Sequence, residues 1–214
     1  MPELISVITG IGAPFQRDNV DAMQIAPRTA AEKGGAKTQG GPETVEPAAL
    51  FAHLRFAADG QELPDFVLNQ PAYRQAKFLI ARRSFGCGSA REHAVWALTS
   101  FGIRCVIAES FGPLFYGNCF KNGVVPVTLP LAEVARMAEE ASAGGEAAIF
   151  SADLAKLQIV TPTGRTVAFE LPAFRRKQLI EGLDEIDLSL RVADKIAAFH
   201  DRARKVQPWV YTQT

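Results

Sequence analysis

The sequence holds few cysteines, no surplus of charge and no long apolar run, and each shortage removes a class of protein. Three cysteines, Cys87, Cys105 and Cys119, cannot all pair within one chain, and none of their spacings forms a CxxC clip. They read as reduced thiols, and no metal ligand is expected among them. An iron–sulfur cluster needs several thiolates at suitable spacing, so any such cluster must be held by another chain. Lys and Arg number 23 against 23 Asp and Glu, which leaves no net field to hold a polyanion; nucleic acid is not an expected partner. No apolar run approaches the roughly 20 residues of a membrane span. The opening MPELISVITG lacks a basic stretch followed by a long apolar one, so a cytoplasmic address is expected.

What is present is ordinary globular material. With 48% hydrophobic and 21% charged residues, the 214-residue chain can build one substantial core but not two full enzyme domains. A single domain over 1–214 is expected, with a variable Gly-rich loop and helix at 28–64. The class is α/β: a central, mostly parallel sheet with flanking helices, an appended β-hairpin and C-terminal helices.

Along the chain, ISVITGIGAPF reads as a strand leading into a loop. The segment PAALFAHLRFAAD reads as helical, and AKFLIAR (76–82) as a buried strand. SAREHAVWALTSF (89–101) is a helix and IRCVIA (103–108) a second apolar strand, which completes a βαβ unit. Pro113 opens a further short helix closed by Gly123, ahead of a third strand at 124–129. LAEVARMAEEASA is a surface helix, residues 156–171 alternate about a Thr-Gly turn as a hairpin, and the tail supplies two helices.

The chemistry is concentrated in SFGCGSAREHAVWAL, residues 84–98, where a strand gives way to a helix. Ligands collect at such strand ends in α/β sheets. Gly86 and Gly88 let the backbone turn sharply around Cys87 and approach a ligand closely. Ser89 falls at the expected helix N-cap, whose free N–H groups suit an anion, and Arg91 adds a planar cation able to grip a carboxylate by two hydrogen bonds. Ser89 and Glu92 also satisfy a capping box, which accounts for that serine by helix stability alone; the two roles are compatible. Cys87 with His93 nearby raises a thiol-nucleophile reading, but no third orienting group is evident. His93 reads as a packing residue, and His53 and His200 as surface residues. A second cluster, Asn118, Lys121 and Asn122, is expected on the same sheet edge as Ser89, or else forms only a polar helix end.

These stretches, FGCGSAREHAVWAL, GIRCVIAESFGPLFYGNCFKNGVVPV and GLDEIDLSL, together with DFVLNQPAY and PFQRDNVD, resemble the small subunits of 3-isopropylmalate dehydratase, in the aconitase superfamily. The likeness covers most of 10–195. It implies a swivelling β/β/α domain that pairs, as a heterodimer or heterotetramer, with a large subunit carrying a 4Fe-4S cluster, while binding no cofactor itself. The reaction implied is reversible dehydration and rehydration of a small hydroxy-acid, 2-isopropylmalate to 3-isopropylmalate in leucine biosynthesis. Ser89 inherits the role of catalytic base, made reachable by a positive surrounding. Arg91, with Gly88, Ala90 and Arg28, inherits substrate binding; Cys87, His93, Asn118, Lys121 and Asn122 stand behind them. The chain departs from the family where a Val-Asp-Thr-Asp-x-Ile-Ile-Pro stretch is usual, since it reads VDAMQIAP at 20–27, with Ala22 and Met23 in place of polar groups. The loop that follows is altered too. Those departures leave open a paralogous hydratase for a methyl-substituted malate or maleate, such as citraconate or dimethylmaleate, or a non-catalytic remnant of the fold.

Overall fold

The computed structural model describes residues 5–27, 44–88, 91–183 and 185–211. Its frame is a seven-stranded sheet in the order β4-β3-β2-β1-β5-β6-β7. The strands are β1 (Val7–Pro14), β2 (Phe78–Ile80), β3 (Cys105–Ala108), β4 (Val125–Thr128), β5 (Ile149–Asp153), β6 (Gln158–Val160) and β7 (Thr166–Ala168). The first four are parallel to one another, and β5, β6 and β7 add antiparallel to the far side of β1.

Helices cover both faces. On one lie α1 (Ala22–Ile25), α2 (Ala52–Arg55), α3 (His93–Phe101) and α4 (Pro113–Lys121); on the other lie α5 (Leu131–Gly144) and α6 (Ala173–Glu181). Successive strand residues supply alternate faces: Leu79 and Val106 pack with Ile25, Leu98 and Phe115, whereas Phe78, Ile80 and Ile107 pack with Val134, Met137 and Leu179. Burial on both sides is why β2 and β3 are unbroken apolar runs rather than alternating ones. Two further helices, α7 (Glu185–Leu190) and α8 (Ala193–Val206), complete the described chain.

Several expectations need correction. The hairpin is not simply appended, because β5, which sequence reading missed, pairs with β1 from Val7↔Asp153 to Ile11↔Ile149 and makes β6 and β7 part of one sheet. The helical stretch expected after Pro47 is a 3-10 turn and the single turn α2. Phe51 breaks it with a left-handed backbone (φ 51°), its N–H donating to the Ile25 carbonyl at 2.7 Å while its ring is fully buried. Of the two helices expected in the tail, the second is divided into α7 and α8, and Arg191 between them pairs with Glu181.

The expected helix 89–101 begins only at His93. Glu92 occupies the cap position without a side-chain cap hydrogen bond of its own, and the Ser89 half of the expected capping box lies outside the described residues. Upstream, residues 86 and 87 donate to the Val20 carbonyl and the Cys87 carbonyl accepts from Ala22, which pins the turn that precedes the helix. At its other end α3 closes on Gly102 (φ 113°), whose N–H donates to the Leu98 and Thr99 carbonyls.

Candidate active site

Parallel strands end together, so the segments leaving β1, β2 and β3 meet at one edge of the sheet. Backbone hydrogen bonds stitch them into a continuous floor. Asn19 donates to the Arg83 carbonyl at 2.9 Å, Gly86 to Val20 at 2.8 Å and Ala22 to Cys87 at 2.8 Å. On the other side Phe85 donates to Ser110 at 3.0 Å and Gly112 to Phe85 at 2.8 Å. Short parallel bridges at Asp21↔Cys87 and Phe85↔Phe111 carry the sheet's pairing beyond its strands.

The glycines around Cys87 are required by this weave. Gly86 (φ 72°) and Gly88 (φ 86°) adopt left-handed backbones. A Cβ at Gly86 would overlap the Phe115 ring, and one at Gly88 would overlap the Asp21 carboxylate. Close approach is therefore real, but it is approach to neighbouring protein groups. Asp21 is itself fixed: its carboxylate accepts from the Met23 N–H and its own N–H donates to the Gln24 side chain at 3.0 Å. A capping box stands at 21–24, at the start of α1.

Arg91 emerges next to the cap of α3, half-buried, with Nη1 donating to the Met23 sulfur at 3.5 Å across 68 residues of sequence. Thus the turn at Gly88, the helix α1 and the Arg91 guanidinium lie on one edge. Ser89, Ala90 and Arg28 lie outside the described residues. Cys87 is half-exposed in the turn. His93 lies tilted against Trp96, ring centroids 4.6 Å apart and planes at 45°. His53 and His200 are exposed.

Asn118, Lys121 and Asn122 are placed otherwise than expected. A crossover helix between parallel strands runs against them, so the end of α4 lies toward the start of β4, away from the edge that carries Gly88. Asn122 accepts from the Trp96 indole at 2.8 Å and donates to the Asn118 carbonyl at 2.9 Å, which ties α3 to α4. Its work is tying helices. Sequence reading marked Met23 as a departure from the family but missed Asp21, although the Asp-x-x-Gln spacing at 21–24 was visible as a capping pattern.

The other thiols are remote from this chemistry. Cys105 and Cys119 are fully buried, and burial pushes both thiols well above the usual cysteine range. Among the described residues no group of three or more His, Cys, Asp or Glu is placed to hold a metal, and no helix is long and apolar enough to cross a membrane. What the edge can do is receive an anion: a fixed guanidinium beside a glycine turn, next to the first turn of a helix.

Comparison with known proteins identifies a family and a fold. Residues 3–132 match the aconitase C-terminal domain family. A protein named 3-isopropylmalate dehydratase small subunit from Paramagnetospirillum magneticum is 44% identical over 212 residues, covering 97% of this chain and 100% of its own. A protein of the same name from a Jannaschia species is 46% identical over 205 residues, covering 96% and 98%. Among solved structures, the 3-isopropylmalate dehydratase of Methanocaldococcus jannaschii superposes with a TM-score of 0.60 at 24% identity, covering 91% of this chain and 99% of that one; it supports the fold alone.

Proposed function

The chain belongs to the aconitase C-terminal domain family, and from that premise we propose that it is the small subunit of a heteromeric hydro-lyase that interconverts 2-isopropylmalate and 3-isopropylmalate by dehydration and rehydration, a step of leucine biosynthesis. The observation that carries the reading is the convergence of Arg91, α1 and the Gly88 turn on one strand-end edge.

Arg91 binds a substrate carboxylate, a charge-assisted and geometrically fixed interaction. Gly88, Ala90 and Arg28 share in holding the substrate. Ser89 takes the proton from the carbon adjacent to the one that loses hydroxyl, and returns it in the reverse sense. A serine alkoxide is costly in water, so this role depends on the positive charge of Arg91 and the N–H groups of the α3 terminus nearby. Cys87 and His93 shape the turn and the helix behind these groups.

An iron–sulfur cluster does not fit this chain's own thiols. Cys105 and Cys119 are sealed in the core, which leaves Cys87 alone, and one thiolate cannot hold a cluster. The 4Fe-4S group belongs to the large partner subunit, whose docking completes the enzyme in the cytoplasm. This chain contributes substrate binding and proton handling.

Co-expression with a large subunit, anaerobic reconstitution and assay against 2-isopropylmalate, citraconate and dimethylmaleate test the proposal. Turnover of isopropylmalate by the pair and by neither chain alone is the expected result. Turnover of only a methyl-substituted acid replaces the substrate, and a reconstituted pair inactive on all of them overturns the enzymatic role.

A further inference from the structure

Residues 186–211 hold no buried side chain, although the segment is helical for most of its length and rich in large apolar groups. On α8, Ile196, Phe199, Ala203 and Val206 recur at helical spacing and so share one face. Trp209 and Val210 follow in the 3-10 turn at its end. Phe199 is 59% exposed, Val206 71% and Trp209 72%, and on α7 Ile186 and Leu190 are as open. A folded protein rarely leaves so much contiguous apolar surface in water unless something covers it.

The end of the tail has a shape of its own. Tyr211 folds back on α8: its hydroxyl lies 2.9 Å from His200 Nδ1, and the Arg204 guanidinium sits 5.4 Å from the centre of its ring. These contacts hold the Pro208–Val210 turn to the helix and still leave Trp209 outside. Tryptophan and arginine are frequent anchors of protein interfaces, and a turn fixed beforehand loses little freedom on docking. The length fits as well, since one side of a standard interface takes roughly 20–30 residues, which this tail can supply by itself.

Charge and kinship narrow the occupant. Arg202, Arg204 and Lys205 crowd the end of α8, and no acid follows Asp201 in the sequence. The apolar face therefore closes on a basic border, which an acidic surface complements and a second copy lying parallel to it repels. The tail also lies beyond residues 3–132, the part that matches the domain family, whereas the relatives named small subunit align with nearly the whole chain. It accompanies a separate subunit rather than the domain.

We propose that α7, α8 and the Trp209 turn form a docking arm that seats in an apolar, acid-bordered groove of the large subunit. This rests on the pairing proposed above and deepens it, because the affinity of the pair then resides in side chains that take no part in the site.

The test uses the full chain and its large subunit, with Phe199→Asp, Trp209→Asp and Arg202→Glu beside the wild type. Sedimentation gives the oligomeric state of each chain alone, calorimetry gives its affinity for the large subunit, and melting curves check that these exposed substitutions leave the fold intact. The wild-type chain alone is expected to be a monomer. Phe199→Asp and Trp209→Asp should each weaken pairing about tenfold or more, with kcat at saturating large subunit unchanged. Arg202→Glu should weaken it at low salt, an effect that fades as salt rises. Wild-type affinity in folded Phe199→Asp and Trp209→Asp chains overturns the inference while the pairing stands. A wild-type chain that binds no large subunit overturns the pairing and the inference together. Self-association of the wild-type chain that both substitutions abolish, with pairing affinity kept, assigns the face to a second copy. Retention on phosphatidylglycerol and phosphatidylethanolamine vesicles that both abolish, again with pairing kept, assigns it to a lipid surface. Either result overturns the inference.

Discussion

The carboxylate of Asp21 lies against Gly88 so closely that a side chain at position 88 would occupy its place. These residues belong to segments leaving different strands, and their contact sits in the seam made by Gly86, Cys87 and Ala22 with Val20 and its neighbours. The turn preceding Arg91 is therefore shaped by an acid that already serves as a helix cap, and displacing that acid disturbs α1 and the turn together.

Gly88→Ala should consequently cost more than its backbone strain. The comparison is Gly164→Ala, at φ 82° against 86° for Gly88, with open space around the added methyl. Left-handed strain alone costs about 1–2 kcal/mol, and loss of the Asp21 cap adds about 1 kcal/mol at position 88. Thermal unfolding of both variants measures the difference. Equal losses would show that Asp21 yields freely.

Ser89→Ala should separate catalysis from stability. Glu92 holds the cap position of α3, so loss of the Ser89 hydroxyl should cost at most the roughly 1 kcal/mol of a cap in the melting curve. Removal of a proton-transfer group should lower kcat at least about 100-fold. A variant that loses stability and activity in step would assign the serine to folding.

Acid should loosen the side of the molecule opposite the site. Arg165, from the β6–β7 hairpin, donates to Glu140 at 2.8 Å and to Glu133 at 2.9 Å on α5, and Thr163 donates to Glu140 at 3.0 Å. Desolvation raises the Glu140 carboxyl, but hydrogen bonds from Thr161, Arg165 and Thr163 together outweigh it and hold the group below the ordinary glutamate range. A carboxyl depressed in the folded state stabilises fully above its unfolded value, about 4.3, and that contribution is lost as pH falls through the folded value. Melting temperature should drop on acidification below about pH 4.3, and Glu140→Gln should reduce that dependence while lowering stability near neutrality. An identical pH profile in the variant would contradict the assignment.

Much of this was legible in the sequence because the parallel strands are buried on both faces. Phe78–Ile80 and Cys105–Ala108 are continuous apolar runs bounded by breakers, and the helix Leu131–Gly144 and the hairpin about Gly164 carry clean periods. Arg91 could be placed at the strand edge for the same reason. What was not legible depends on contacts between distant segments. The strand Ile149–Asp153 is short and acquires its identity from pairing with β1. Phe51 breaks its helix to bond Ile25. The turn at Gly86–Gly88 is pinned by hydrogen bonds with Val20 and Ala22, and the Met23–Arg91 contact spans 68 positions, beyond any local pattern. Asn122, left open between a ligand contact and a polar helix end, is joined to Trp96 by a contact that spans 26 positions.

The most direct test of the account is the Michaelis constant of the assembled pair carrying Arg91→Lys. Lysine keeps the charge but cannot make the planar two-bond grip on a carboxylate, so KM for 2-isopropylmalate should rise on the order of 10- to 100-fold, corresponding to about 1.4–2.8 kcal/mol. Affinity for the large subunit should be unchanged. A wild-type KM in a folded, fully assembled Arg91→Lys pair would contradict the claim that this guanidinium receives the substrate.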